Sequence, residues 1–328
     1  ASITDQWSVA TMATARGAGP GLAVLKDGRA LVAGGATNPS DLGTAQTSAE
    51  LFDIATEQVP PAAGPMGAPR WWASAVTLLD GRALLVGGAC ASGTCAGDAA
   101  RLDLFDPATG MFSATGPAGH PVEHTTNAVL LADGRVLFTS AGSSVDVWDP
   151  DTGQVTPLAA GLPGTPSILV RLRDGRLLLT GFGFTREARL YDADTSTWTT
   201  PAPLVTPRPG ARAHVQPDGR VLIVGGEATD GIGGIGVLDS IELFDPGSGT
   251  FAEAPYRLRS GRYYHTSALI RDGTVLVFGG HSGENLPNQC APMLAEVDRV
   301  GNEPDDVGDG ESKCVAEGVP LAVGLDGV

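Results

Sequence analysis

The sequence predicts an all-β chain arranged as a six-bladed β-propeller, with four antiparallel strands in each blade. Three observations carry this reading: a hairpin motif that recurs six times, a short Asp-terminated strand after each hairpin, and a high glycine content. The motif reads GLAVLKDGRALVAGG (21–35), ASAVTLLDGRALLVGG (73–88), NAVLLADGRVLFTSAG (127–142), ILVRLRDGRLLLTGFG (168–183), AHVQPDGRVLIVGG (213–226) and TSALIRDGTVLVFGG (266–280). Glycine is 46 of 328 residues, about twice its usual share of about 7%. With 42% of the chain hydrophobic, frequent turns explain that glycine better than disorder does.

Each motif begins with an apolar run, then Asp-Gly, then a second apolar run that ends in glycine. Asp-Gly between two such runs signals a hairpin, expected as a type I′ turn with φ > 0 at both central residues. A third strand follows in AELFD (49–53), LDLFD (102–106), VDVWD (145–149), ARLYD (188–192), IELFD (241–245) and AEVD (295–298). A second turn then leads to a fourth strand anchored by Val59, Phe112, Val155, Trp198 or Phe251. Four strands per repeat make one propeller blade. The turn aspartates fall at 27, 80, 133, 174, 218 and 272, spacings of roughly 40–55 residues that suit blade-forming repeats.

The sixth repeat lacks its own fourth strand, and the N-terminus supplies a match. Asp5-Gln6-Trp7 reads like Glu57-Gln58-Val59, and Met12…Arg16 mirrors Met66…Arg70. The N-terminal strand is therefore expected to close the last blade, leaving no open sheet edge. The blades are expected at about 17–69, 70–121, 122–164, 165–208, 209–260 and 261–300 plus 3–15. Residues 301–328 form an acidic C-terminal extension tethered to the last blade.

Blade lengths differ mainly between the second and third strands. This loop is long at 36–47, 89–100, 227–239 and 281–293, and short in the third and fourth repeats. The long loops are expected to wall one face, where binding residues concentrate. The loops leading into each first strand lie on that same face. They carry Arg70-Trp71-Trp72, Glu123-His124, Arg212 and Arg262-Tyr263-Tyr264-His265, with His281 in the last long loop. Aromatic faces beside Arg and His donors suit sugar rings or a partner's side chains. Trp71 and Trp72 are adjacent in a strand, so one should face solvent.

A formal net charge of −16 argues against nucleic acid and anionic membrane surfaces, which need clustered basic residues. No apolar run reaches the roughly 20 residues of a membrane-spanning helix. Four cysteines occur, and the local pairing Cys90–Cys95 with Cys290–Cys314 needs the least rearrangement. Even-numbered cysteines in Gly-rich loops point to an oxidising compartment, so a secreted or cell-surface protein is expected, its signal removed. Residues 302–311 hold five acids and no base. Asp305, Asp306, Asp309 and Glu311 there are candidate calcium ligands, and no other cofactor is expected. GxSxG, HExxH and P-loop motifs are absent from the sequence.

The run Arg262-Tyr-Tyr-His265, then Asp272-Gly273 and Gly279-Gly280, fits an R-x-x-H…DG…GG pattern. On these residues the chain resembles the kelch-repeat family across residues 1–300. The Tyr264-His265 pair also resembles the blade-start copper ligands of galactose oxidase and glyoxal oxidase, more distantly. That resemblance implies a copper-radical centre needing a cysteine cross-linked to a ligand tyrosine, and a further histidine from a following domain. Here no cysteine occurs at a blade start, Trp71-Trp72 stands where such a tyrosine is implied, and no third domain is expected. The function expected from the sequence is thus a non-catalytic binding module for a protein or glycan. The alternative is a metal-dependent, oxidase-like enzyme with its site at the axial mouth of the same face.

Overall fold

A computed structural model describes residues 12–14, 16, 19–37, 42–53, 56, 58–59, 64–88, 101–117, 127–140, 144–158, 162–229, 235–263, 265–269, 275–278 and 297–300. The chain is all-β, built of small antiparallel sheets of the β-propeller kind. Among the described residues the one helical element is a single 3₁₀ turn at Leu42–Thr44. Two compact units are distinguished: residues 1–159 with 317–328, and residues 160–316.

In the first unit, β1 (Gly21–Val24), β2 (Arg29–Ala33) and β3 (Ala49–Asp53) form one sheet. A second sheet comprises β4 (Ser74–Thr77), β5 (Ala83–Val86), β6 (Arg101–Asp106) and β7 (Met111–Pro117). The third comprises β8 (Ala128–Leu130), β9 (Val136–Ser140), β10 (Ser144–Trp148) and β11 (Val155–Leu158). Strand β1 packs beside β4, and β4 beside β8, so first strands of successive sheets are neighbours.

The second unit repeats this plan. Its first sheet runs β12 (Pro166–Arg171), β13 (Leu177–Phe182), β14 (Ala188–Asp192) and β15 (Thr197–Thr199). The next contains β16 (Arg212–Val215) and β17 (Val221–Val224), then β20 (Ser240–Asp245) and β21 (Thr250–Arg257). The long loop inside it folds as a hairpin of β18 (Glu227–Thr229) and β19 (Ile235–Val237). The last sheet has β22 (Thr266–Leu269), β23 (Val275–Phe278) and β24 (Val297–Val300). Here β12 packs beside β16 and β16 beside β22.

The second strands β5 and β17 are apolar on both faces because the flanking sheets of their own unit cover both. On β5, Leu84 and Val86 join a cluster with Val136, Phe138 and Trp148 of the following sheet. Ala83 and Leu85 turn the other way, toward Leu31 and Leu51 of the preceding sheet. The same division recurs on β17, where Val221 and Ile223 pack with Ile168 and Leu178. Leu222 and Val224 pack with Val275 and Val277. Each such aliphatic burial contributes about 1.5–3 kcal/mol.

The expected fourth-strand anchors pair with aromatic third-strand partners in register. Phe105 meets Phe112, Tyr191 meets Trp198 and Phe244 meets Phe251, with ring centroids 4.9, 4.7 and 4.6 Å apart. The first repeat departs from expectation. Beside Val59, its fourth strand is reduced among the described residues to one bridge between Asp53 and Gln58.

The Asp-Gly hairpins also differ from the expected type I′ turn. Glycine alone takes positive φ (86° at Gly28), while Asp27 does not. Gly28 N donates to Leu25 O, and Leu25 N donates to Arg29 O at 2.7 Å. Three residues therefore separate the strands, giving a type I turn followed by a left-handed glycine. Asp27 Oδ1 accepts from the Arg29 amide at 3.0 Å, which holds the aspartate in the right-handed region.

Buried ion pairs fasten three of these sheets internally. Arg16 pairs with Glu50, Arg70 with Asp103 and Arg208 with Glu242, at 2.9, 2.6 and 2.7 Å. Arg208 also donates to Gly225 O, Ser240 O and Ser240 Oγ. Glu242 completes its shell by accepting from the amides of Val205 and Thr206 at 3.0 and 2.9 Å.

Two outcomes follow from this architecture. Glu242→Ala leaves the Arg208 guanidinium buried without its counter-charge, so it should destabilise the protein by about 3–5 kcal/mol in chemical denaturation. Arg208→Met with Glu242→Met together should cost much less than that single change. Ser196 adopts φ 55° at the turn position where Gly110, Gly153 and Gly249 stand in equivalent turns. Ser196→Gly should relieve that strain and raise stability by roughly 0.5–1 kcal/mol in the same assay, the glycine's chain entropy offsetting part of the gain.

Candidate functional site

The loops leading into the first strands are held by glycine pairs that end the second strands. Gly226 N donates to Arg262 O at 2.9 Å, as Gly35 N donates to Arg70 O at 2.7 Å. The approach is so close that a Cβ on Gly225 would lie 2.4 Å from Arg262 O and 3.1 Å from His265 Cε1. Backbone packing of this kind fixes where the residues after Arg262 project.

Four side chains meet where β16 lies beside β22: Arg212, His214, His265 and Ser267. Arg212 and His214 are two residues apart on β16, so they share one face of the strand. Ser267 lies on β22, and His265 immediately precedes it. His214 Nε2 and Ser267 Oγ are 2.7 Å apart, bridging the two first strands. His265 is 0% exposed, and neither ring nitrogen has a hydrogen-bond partner among the described residues.

Both imidazoles are held neutral. Burial pushes His265 down to about 3, reinforced by the charges of Arg212 and Arg262 and by His214, while the Arg262 carbonyl opposes weakly. Burial likewise pushes His214 down to about 4, with Arg212 adding to the effect. A neutral imidazole with a free lone pair can bind a metal ion or accept a proton.

The remaining sequence-predicted residues separate into three groups. Arg262 is 0% exposed, inside the protein, and Tyr263 is half-buried. Trp71 is 6% exposed and Trp72 40%, so one of the pair faces solvent as expected. Their ring centroids are 4.5 Å apart. Trp72 takes φ 55°, and its ring lies over Gly19, where a Cβ would meet Trp72 Cδ1 at 2.3 Å. Glu123, His124, Tyr264 and His281 lie outside the described residues, as do the four cysteines Cys90, Cys95, Cys290 and Cys314. So do Asp305, Asp306, Asp309 and Glu311.

The sequence offers His214 only as one of five histidines (120, 124, 214, 265 and 281) that could hold a metal if several met; its place beside the strand led in by His265 is a fact of packing. A cleft of about 240 Å³ opens at the hairpin-turn end of the second unit, between Arg173, Asp218, Arg220 and Asp245. Asp218 is paired there with Arg220 at 2.6 Å, and the cleft collects no unpaired donor set. Among the described residues no three His, Cys, Asp or Glu side chains converge as a metal cage, and no helix is long and apolar enough to cross a membrane.

The fold is therefore all-β and propeller-like, with one imidazole on a first strand and another just ahead of the adjoining one. It is shared with a solved structure, a fungal alcohol oxidase of the AA5 family in complex with copper. The TM-score is 0.64 at 22% identity, covering 80% of this chain and 58% of that one. This chain thus spans little more than half the length of the oxidase. The likeness supports the distant resemblance to galactose-oxidase-type propellers. No family model matches the chain, and no curated protein matches it. The expectation of no cofactor beyond calcium is corrected here, because the fold is one that holds copper in a solved relative.

Depressed histidines make the metal-free protein acid-sensitive. The unfolded chain takes up protons near pH 6.5, whereas His214 and His265 in the folded chain resist them until about 4 and 3. Between those values the unfolded state binds more protons, so stability falls as pH drops from about 6.5 toward 3. His265→Phe should flatten that slope in melting curves taken from pH 7 to 4.

Proposed function

We propose that this chain is a metal-dependent oxidoreductase, with copper held in part by His265. The observation that carries the reading is a fully buried, neutral imidazole whose two nitrogens lack hydrogen-bond partners among the described residues. Leaving a buried polar group unsatisfied costs about 1–3 kcal/mol, a cost that a bound metal ion offsets. Imidazole suits copper among the first-row metals, so the donor fits the ion that the solved relative holds. Tyr264 and His281 are the further donors that the sequence nominates.

Bound copper would supply one-electron redox chemistry. The protein's own part is to exclude water from His265, keep its ring unprotonated and fix its position through the Gly225–Arg262 contact. Arg212, half-buried beside it, would orient a substrate oxygen. The likeness to a copper alcohol oxidase favours this reading over the non-catalytic binding of a protein or glycan. The six repeats further support a ring of six blades, closed by residues 3–15 and followed by an acidic extension at 301–328. Secretion is part of the same proposal.

Cu(II) titrated into metal-free protein should bind at one equivalent, read by calorimetry. His265→Ala should weaken binding by more than about 100-fold, beyond the effect of outer-shell changes. The loaded protein should consume oxygen with a primary alcohol from a broad panel. Weak copper binding that is indifferent to His265→Ala would sink the proposal.

A further inference from the structure

His214 occupies a position that packing alone does not require. Its ring reaches from β16 to β22 and ends on Ser267 Oγ, 2.7 Å from Nε2. Ser267 lies on β22, and His265 immediately precedes that strand, two residues away. The His214 ring is thus held beside the strand that His265 leads into, near enough for His214 and Arg212 both to act electrostatically on His265. Arg212, on the same face of β16, flanks both.

The hydrogen bond to Ser267 has a chemical consequence. A serine hydroxyl can accept from Nε2–H while donating its own proton elsewhere. In that tautomer Nδ1 carries the lone pair. Metal-ligating histidines are held in this way: one nitrogen faces the ion, and the other N–H is anchored to an oxygen that fixes the ring. His265, with both nitrogens unpartnered, needs no change of partner to join it.

We infer that His214 is a second imidazole ligand of the metal held by His265, binding through Nδ1, with Ser267 as the outer-shell acceptor that sets its tautomer. The inference rests on the oxidoreductase reading above and makes the centre a bis-imidazole one drawn from one first strand and the lead-in to the adjoining one. It gives the His214–Ser267 contact a role beyond joining two sheets.

Pulsed electron paramagnetic resonance on the full chain loaded with Cu(II) tests it, because remote imidazole nitrogens are counted in the spectrum. The wild-type protein should show at least two coordinated imidazoles. His214→Gln should remove one and leave that of His265. Ser267→Ala should keep the count, alter the quadrupole coupling of one remote nitrogen, and weaken copper binding about 10- to 100-fold. A wild-type nitrogen count and affinity in His214→Gln would overturn this inference and leave the proposed function standing. Absence of specific copper in the wild type would overturn both. If His214→Gln does not fold, the Ser267→Ala spectrum decides: an unchanged remote nitrogen refutes the assignment.

Discussion

The buried arginine ahead of four first strands (Arg16, Arg70, Arg208 and Arg262) is the contact on which the rest is organised. Arg16, Arg70 and Arg208 each reach a carboxylate on the third strand of their own sheet and the carbonyl that ends its second strand. The backbone carbonyls of Arg70 and Arg262 in turn accept from the glycine pair of the preceding sheet. A single residue thus braces its own sheet with its side chain and registers the neighbouring sheet with its backbone. Removing these guanidiniums from water is costly, and the full set of acceptors around each one compensates for it.

That brace also determines where chemistry can occur. The Arg262 backbone is held on both sides, its amide donating to Leu238 O and its carbonyl accepting from Gly226 N, and His265 three residues on is buried with neither ring nitrogen hydrogen-bonded among the described residues. The neighbouring β16 presents Arg212 and His214 at the same level. Rigid scaffolding beneath a small set of side chains is what a metal or substrate site requires. On the proposed reading, the lead-in segments carry chemistry as well as join the sheets.

Much of this was legible from residues alone. Repetition of apolar runs around Asp-Gly disclosed the strands, and the third-strand aromatics disclosed their cross-strand partners, since strand pairing obeys simple periodicity. The turn type was misread because Asp-Gly was counted as a two-residue loop, whereas Arg29 closes a three-residue one. His214 was legible only as one of five histidines, because its significance depends on which strand lies beside β16, a fact of packing that no local pattern encodes. The absence of an expected cofactor was inferred from an incomplete ligand motif, and an incomplete motif says little about a buried imidazole. Trp72 shows the converse: alternation called for one exposed tryptophan, and Trp72 is that one, but it stands ahead of β4 with a left-handed backbone, outside any strand.

Second strands buried on both faces have a further consequence, for how such a chain is made and how it evolves. A sheet standing alone would offer water two greasy surfaces, so no repeat is self-sufficient and each depends on its flanking copies. During synthesis every newly emerged hairpin must wait for the next before its outer side is covered, which favours growth in sequence order. Lineages can therefore gain or lose such units only whole, because a break inside one would strand a sticky ribbon.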